Sequence, residues 1–134
     1  MNILFFLTPK SEVAYLYDDV SLRQALEKME YHRYSAIPII SRKGEYVGTI
    51  TEGDFLWEIK KRGGLDLRQA EEIPLTQVHR RMDNVPVNAT SNMEDLVSMA
   101  MNQNFVPVVD DSNIFMGIIK RKDIIRYCYD NLHQ

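Results

Sequence analysis

Two stretches of this 134-residue chain have residues able to hold a ligand: Gly48-Thr49-Ile50-Thr51-Glu52-Gly53-Asp54 and Gly117-Ile118-Ile119-Lys120-Arg121-Lys122-Asp123. In the first, Thr51 ends an apolar run that reads as a strand and precedes residues that read as a helix. The free N–H groups and positive dipole end of that helix would face whatever sits beside Thr51, a natural place for phosphate. Asp54, one turn on, presents a carboxylate able to accept both hydroxyls of a ribose, as acids at strand–helix junctions do in dinucleotide folds. The same pair also reads as a plain capping box, threonine at the N-cap and acid three residues later. Both readings stay open. In the second stretch lysine cannot make that cap, yet the aspartate recurs.

Other residues allow chemistry less directly. Lys120, Arg121 and Lys122 read either as a solvated helix start or as a patch attracting extra phosphate, since cations there oppose the helix dipole. His79-Arg80-Arg81 reads as a surface basic run, with Arg80 and Arg81 as alternative phosphate contacts. Arg33, beside His32, serves a helix C-terminus or touches the ligand. The three histidines share no pattern with a cysteine or an acid, and metal-ligand spacing is absent. Asp18-Asp19 and Asp110-Asp111 border strands and read as turn residues, not paired catalytic acids. No nucleophile elbow or glycine-rich phosphate loop occurs. Catalysis finds little support in these residues.

The elements that must position these residues occur twice. Pro38 and Pro107, Gly48 and Gly117, and Asp54 and Asp123 are each 69 positions apart. Around them, Ala36-Ile37-Pro38-Ile39-Ile40 matches Phe105-Val106-Pro107-Val108-Val109. Upstream, Leu22, Ala25, Leu26 and Met29 form the apolar stripe of a core-facing helix, repeated by Met93, Leu96, Val97 and Ala100. Ser21 with Gln24 and Asn92 with Asp95 are the helix start signals. Lys43-Gly44 and Ser112-Asn113 supply tight turns, because glycine and asparagine tolerate positive φ. Each copy thus reads β-α-β-β-α, with first strands at Val13–Tyr17 and Val85–Ala89. A unit of some fifty residues buries too little alone, so the two should pack as a pseudo-two-fold pair. The expected division is 1–60 for the first copy with an N-terminal docking segment, 61–72 for a linker holding Gly63-Gly64, and 73–134 for the second copy.

Composition fits an ordinary soluble globular domain, 45% hydrophobic, 26% charged, net charge −3, and the β-α-β-β-α order of each copy makes the expected class α+β. No overall basic field draws it to nucleic acid or an anionic membrane. The single cysteine, Cys128, cannot form an internal disulfide and fits a reducing cytoplasm. The longest apolar run, Ile3–Leu7, is far short of the ~20 residues of a membrane helix and lacks the flanks of a signal peptide.

The order Val13-Ala14-Tyr15-Leu16, Ser21-Leu22-Arg23-Gln24-Ala25-Leu26, Ala36-Ile37-Pro38 and Gly48 to Asp54 resembles a CBS (cystathionine β-synthase) domain. With its second copy the chain resembles a stand-alone CBS pair, or Bateman module, from about Val13 to Tyr129. The resemblance implies a non-catalytic module whose clefts bind AMP, ADP, ATP, S-adenosylmethionine or a cyclic dinucleotide, and which forms a homodimer. It implies no required cofactor or metal. Thr51 and Asp54 match the family's ribose motif fully, while Gly117 and Asp123 match it with Lys120 in place of Ser or Thr. By the same resemblance Ala36, Ile37 and Pro38, and Val106 and Pro107, line the adenine, and Ala14 and Tyr15 form the other wall. Lys120 and Arg121 would approach phosphate. The last helices, apolar on several sides, offer Phe55, Trp57, Ile124 and Tyr127 as a dimer interface. The expectation is a cytoplasmic regulator that reports an adenine nucleotide to an unknown effector protein. A structural dimerisation module without ligand, an enzyme of nucleotide metabolism and nucleic-acid binding through Lys120–Lys122 are the alternatives.

Overall fold

The computed structural model describes residues 2–133. They form two compact units, one spanning Ala14–Asp83 and the other joining the segment up to Val13 with the chain from Asn84 onward. Each unit holds one copy of the repeat.

In the first unit, β2 (Leu16–Tyr17) lies parallel to β3 (Ala36–Ile40), which pairs antiparallel with β4 (Tyr46–Thr51), giving the sheet order β2-β3-β4. Helix α1 (Leu22–His32) starts where Ser21 and Gln24 close a capping box and ends where Arg33 turns left-handed at φ 58. Its buried Leu22, Ala25 and Met29 pack on Ile37, Ile39 and Ile50. Burying each such side chain stabilises the fold by about 1.5–3 kcal/mol. The β3–β4 turn relies on Gly44 at φ 87 and on Ser41 Oγ, which accepts from the N–H groups of Lys43 and Glu45. Helix α2 (Glu52–Lys61) follows β4 directly.

The expected linker, 61–72, and residues 73–83, expected in the second copy, belong to this unit and partly build its core. Asp66 and Gln69 cap a short helix, α3 (Leu67–Glu71), and Ala70, Ile73, Leu75 and Val78 are all buried. The N–H of Leu22 donates to Ile73 O at 2.8 Å and that of Leu75 to Val20 O at 2.9 Å, tying the stretch to the start of α1. Hydrophobic burial, which Gly63-Gly64 does not interrupt, sets this boundary.

In the second unit the order is β1-β7-β6-β5, from β1 (Thr8–Pro9), β5 (Val87–Asn88), β6 (Phe105–Val109) and β7 (Phe115–Lys120), with α4 (Met93–Ala100) and α5 (Arg121–Leu132). The N-terminal segment was expected with the first copy and instead belongs here. Ile3 is fully buried among Val87, Leu96, Val106, Ile119 and Ile124, and Thr8 pairs with Ile118. Gly117, at φ 149, makes this possible, because a Cβ there would run into the carbonyl oxygen of Thr8. The first strands of both copies are shorter than Val13–Tyr17 and Val85–Ala89. Val85 is instead held by the side chain of Gln103, which accepts from its N–H at 2.9 Å and donates to its carbonyl at 3.2 Å.

Candidate functional site

The first site forms where β4 runs into α2. Thr51 is the Cα partner of Ala36, and the N–H of Glu52 donates to Ser35 O at 3.0 Å, so the helix start is fixed to the start of β3. Thr51 Oγ1 accepts from the N–H of Asp54 at 3.2 Å, and Asp54 Oδ2 accepts from the N–H of Thr51 at 3.0 Å. The capping box is therefore formed. Asp54 accepts a second N–H at Oδ1, from Arg81, at 3.1 Å. The carboxylate is only 4% exposed and carries one main-chain donor on each oxygen.

Beside it is a cleft of about 290 Å³, lined by Asp54, Trp57, Glu58 and Lys61 from one face of α2 and by His79 and Arg81. Glu58 is buried and accepts from Arg62 Nε at 2.9 Å, while Lys61 and Arg81 bring positive charge to the cleft. Arg81, offered by the sequence as an alternative phosphate contact, lines this cleft. Arg80 is held by Asp83 at 2.7 Å, and Arg33 sits exposed at the end of α1, not in the cleft.

Ile37 and Pro38 are buried, and Ala36 is half-buried next to Thr51. β2 pairs with β3 only at Ile39 and Ile40, so the Ala36–Pro38 portion of that edge has no ladder partner among the described strands. Extending the parallel register brings Ala14 and Tyr15 to this level. Ala14 packs on the core, and the Tyr15 ring meets Tyr17 edge-on at 5.6 Å with Lys28 over its face. A hydrogen bond with Tyr17 and partial burial raise the Tyr15 phenol above its ordinary pKa.

The second site repeats this frame with different chemistry. Phe105 pairs with Lys120 and Val106 with Ile119, and Val106 and Pro107 are buried. Lys120 stands at the N-cap of α5 without a side-chain cap bond. Asp123 is half-buried, and among the described residues no donor reaches its carboxylate. Arg121 is committed elsewhere: its Nε donates to Gln103 O and its N–H to Asn104 O, both at 3.0 Å. These bonds fix the start of α5 and the stem of the Arg121 guanidinium to the Gln103–Asn104 turn.

Two of the four expected interface residues belong to internal cores. Phe55 is 4% exposed and Ile124 1%, each packed within its own unit. They occupy the sheet-facing side of their helices. Tyr127 is half-buried against Phe6, ring centroids 5.8 Å apart. Trp57 is exposed, as are Leu56 on the same helix and Ile125, Tyr129 and Leu132 on α5. Sequence reasoning missed Lys61 and Asp83. Lys61 was detectable, lying seven residues beyond Asp54 on the same helical face. Asp83, whose carboxylate accepts from the Thr49 N–H at 2.9 Å, lies upstream of the stretch through which the repeat was traced.

The CBS domain profile matches residues 6–61 and 70–130. The chain belongs to the CBS-domain family. Its fold is α+β, with two CBS domains forming a pair. L-aspartate semialdehyde sulfurtransferase of Methanocaldococcus jannaschii is 30% identical over 113 residues, 82% of this chain and 20% of that protein. The chain spans about a fifth of the length of the curated relatives it matches. Among solved structures, CbpB in complex with c-di-AMP is similar with a TM-score of 0.83 and 26% identity, covering 99% of this chain and 87% of that one. CBSX2 in complex with AMP shares the fold, with a TM-score of 0.75 at 20% identity over 96% of each chain. Similar CBS pairs therefore bind adenine nucleotides. Among the described residues no helix is long and apolar enough to cross a membrane, and no group of three or more His, Cys, Asp or Glu could hold a metal ion.

Proposed function

We propose that this CBS pair is a non-catalytic sensor of an adenosine-containing ligand. Thr51 and Asp54 hold the ribose, Ala36–Pro38 with Ala14 and Tyr15 flank the base, and Arg81 lies toward phosphate. The observation that carries this reading is the Asp54 carboxylate, set between a strand end, a helix N-terminus and a cleft bearing Lys61 and Arg81. Two cations there favour phosphorylated ligands such as AMP, ADP, ATP or cyclic di-AMP over the sulfonium of S-adenosylmethionine. The second site, with Lys120 and an open Asp123, takes the same class of ligand. Signalling proceeds by differential binding: a cytoplasmic effector prefers one of the two states that the ligand shifts. The exposed apolar residues of α2 and α5 are the surfaces through which the chain forms a homodimer.

A thermal-shift panel of the five ligands tests the reading. A ligand at 100 times its Kd adds about 2.7 kcal/mol to stability, an upward shift of several degrees. No shift with any adenosine ligand at millimolar concentration refutes it.

A further inference from the structure

The carboxylate that a ribose would need at the first site is engaged. Asp54 is 4% exposed, and its Oδ1 is occupied by the main-chain N–H of Arg81. Arg81 belongs to the short segment 79–83, which is pinned at a second point. Asp83 accepts from the N–H of Thr49 at 2.9 Å and from Arg80 Nε at 2.7 Å. Gly48 permits that approach, since a Cβ on it would collide with the Asp83 carboxylate. The second copy also has a segment pressed on the equivalent strand, but its acid is bonded differently. There β7 is flanked by the main chain of Thr8 and Pro9, and no described residue donates to Asp123. Acids at the same repeat position thus stand in two states, one engaged and one open.

We propose that segment 79–83 is a latch on the first ligand site, released when ribose hydroxyls replace the Arg81 N–H on Asp54. This rests on the reading of Asp54 as the ribose contact. A buried carboxylate does not give up a donor without a replacement, because an unpaired buried charge is costly. A ribose brings two hydroxyl donors to the same oxygens. The side chains of Arg81 and His79 already line the cleft with Lys61, where the phosphate of such a ligand would follow. Free and bound forms then differ in the residues immediately preceding Asn84, the point at which the chain passes into the second unit. A closed latch reduces the fraction of binding-competent molecules, so loosening it strengthens apparent affinity.

Amide hydrogen exchange by NMR on the full chain, with AMP and cyclic di-AMP as probes, tests this in the wild type and in Asp83→Ala. The substitution unpins the far end of the segment and leaves Asp54 in place. Without ligand the Arg81 amide exchanges slowly. Saturating ligand should speed its exchange at least tenfold while the Thr51 amide stays protected. Asp83→Ala should bind at least tenfold more tightly. Ligand that shifts the β4–α2 resonances without speeding Arg81 exchange overturns the latch and leaves the ribose reading standing. Unchanged or weaker binding by Asp83→Ala also overturns it. If neither probe shifts any resonance in either protein, the ribose reading falls and the latch with it.

Discussion

The two repeat glycines sit at equivalent positions and should respond differently to alanine. At Gly117 a Cβ would meet the carbonyl oxygen of Thr8 inside any real contact distance, with Pro9 Cα at 3.0 Å and Leu7 Cδ1 at 3.1 Å. Two of these atoms are backbone, and φ is 149, so neither neighbour nor residue can yield cheaply. Relief requires β1 to part from β7, giving up the Thr8–Ile118 pairing. Overpacking contributes about 1–3 kcal/mol, a backbone outlier about 1–3, and a lost hydrogen bond about 1. The terms overlap, and we expect Gly117→Ala to destabilise the protein by about 3–5 kcal/mol. At Gly48 the obstacles are side-chain atoms, Asp83 Cγ at 2.7 Å and Arg80 Nε at 2.9 Å. Both side chains are partly exposed and can swing outward. The loss there is the Thr49–Asp83 bond, about 1.5–3 kcal/mol as a bond to a charged group and less where water replaces it at this partly exposed site. Urea denaturation with matched slopes measures both. A Gly48→Ala variant as unstable as Gly117→Ala, or a Gly117→Ala variant of wild-type stability, would refute the reasoning.

Lys120→Thr supplies the cap that α5 lacks, with Asp123 already three residues on. It should raise stability by about 0.5–1 kcal/mol, and a fall in melting temperature contradicts this. Burial holds the Tyr46 phenol well above its ordinary pKa of about 10, while its 2.7 Å bond with Thr49 pulls the other way. Stability is therefore full below pH ~10 and is lost as pH rises toward the folded value, because the unfolded chain ionises first. Tyr46→Phe should reduce that alkaline loss, and urea midpoints at pH 8 and 10.5 that fall equally in both proteins argue against it. If the exposed Trp57 anchors a homodimer, Trp57→Ala should weaken it by about 2 kcal/mol. Light scattering that finds a 15.6 kDa monomer at high micromolar wild-type concentration excludes the dimer.

The repeat was legible because the residues that mark it perform backbone tasks twice over: Gly44 and Asn113 in positive-φ turns, Gly48 and Gly117 where a neighbouring segment presses on a strand. The helix caps at Ser21 and Asn92 followed from local rules, as did most of the stripes behind them, but Val97, read into the second stripe, is exposed. What local pattern could not show was long-range pairing. Two residues, Thr8 and Pro9, assign the N-terminal segment to the second copy, and no periodicity marks a strand that short. Residues 61–72 looked polar and glycine-rich and 73 onward read as the second copy, yet Ala70, Ile73, Leu75 and Val78 fill a core of the first unit whose other wall lies some fifty positions earlier. At the site, Thr51 and Asp54 were found through their spacing. Their engagement by Arg81 was not, because a main-chain N–H donor leaves no trace in residue type. The apolar helices showed similar ambiguity: composition marked α2 as rich in apolar residues, but only the packing separates buried Phe55 from exposed Leu56 and Trp57.

The central claim is that an adenosine ligand is held at the β4–α2 junction by Asp54. Titration calorimetry of AMP and cyclic di-AMP into the wild type and Asp54→Ala measures it directly, with circular dichroism confirming that the variant is folded. A hydrogen bond to a charged group is worth about 1.5–3 kcal/mol. The account predicts saturable binding to the wild type and at least a tenfold loss of affinity in Asp54→Ala. Equal affinity in the two folded proteins would contradict it.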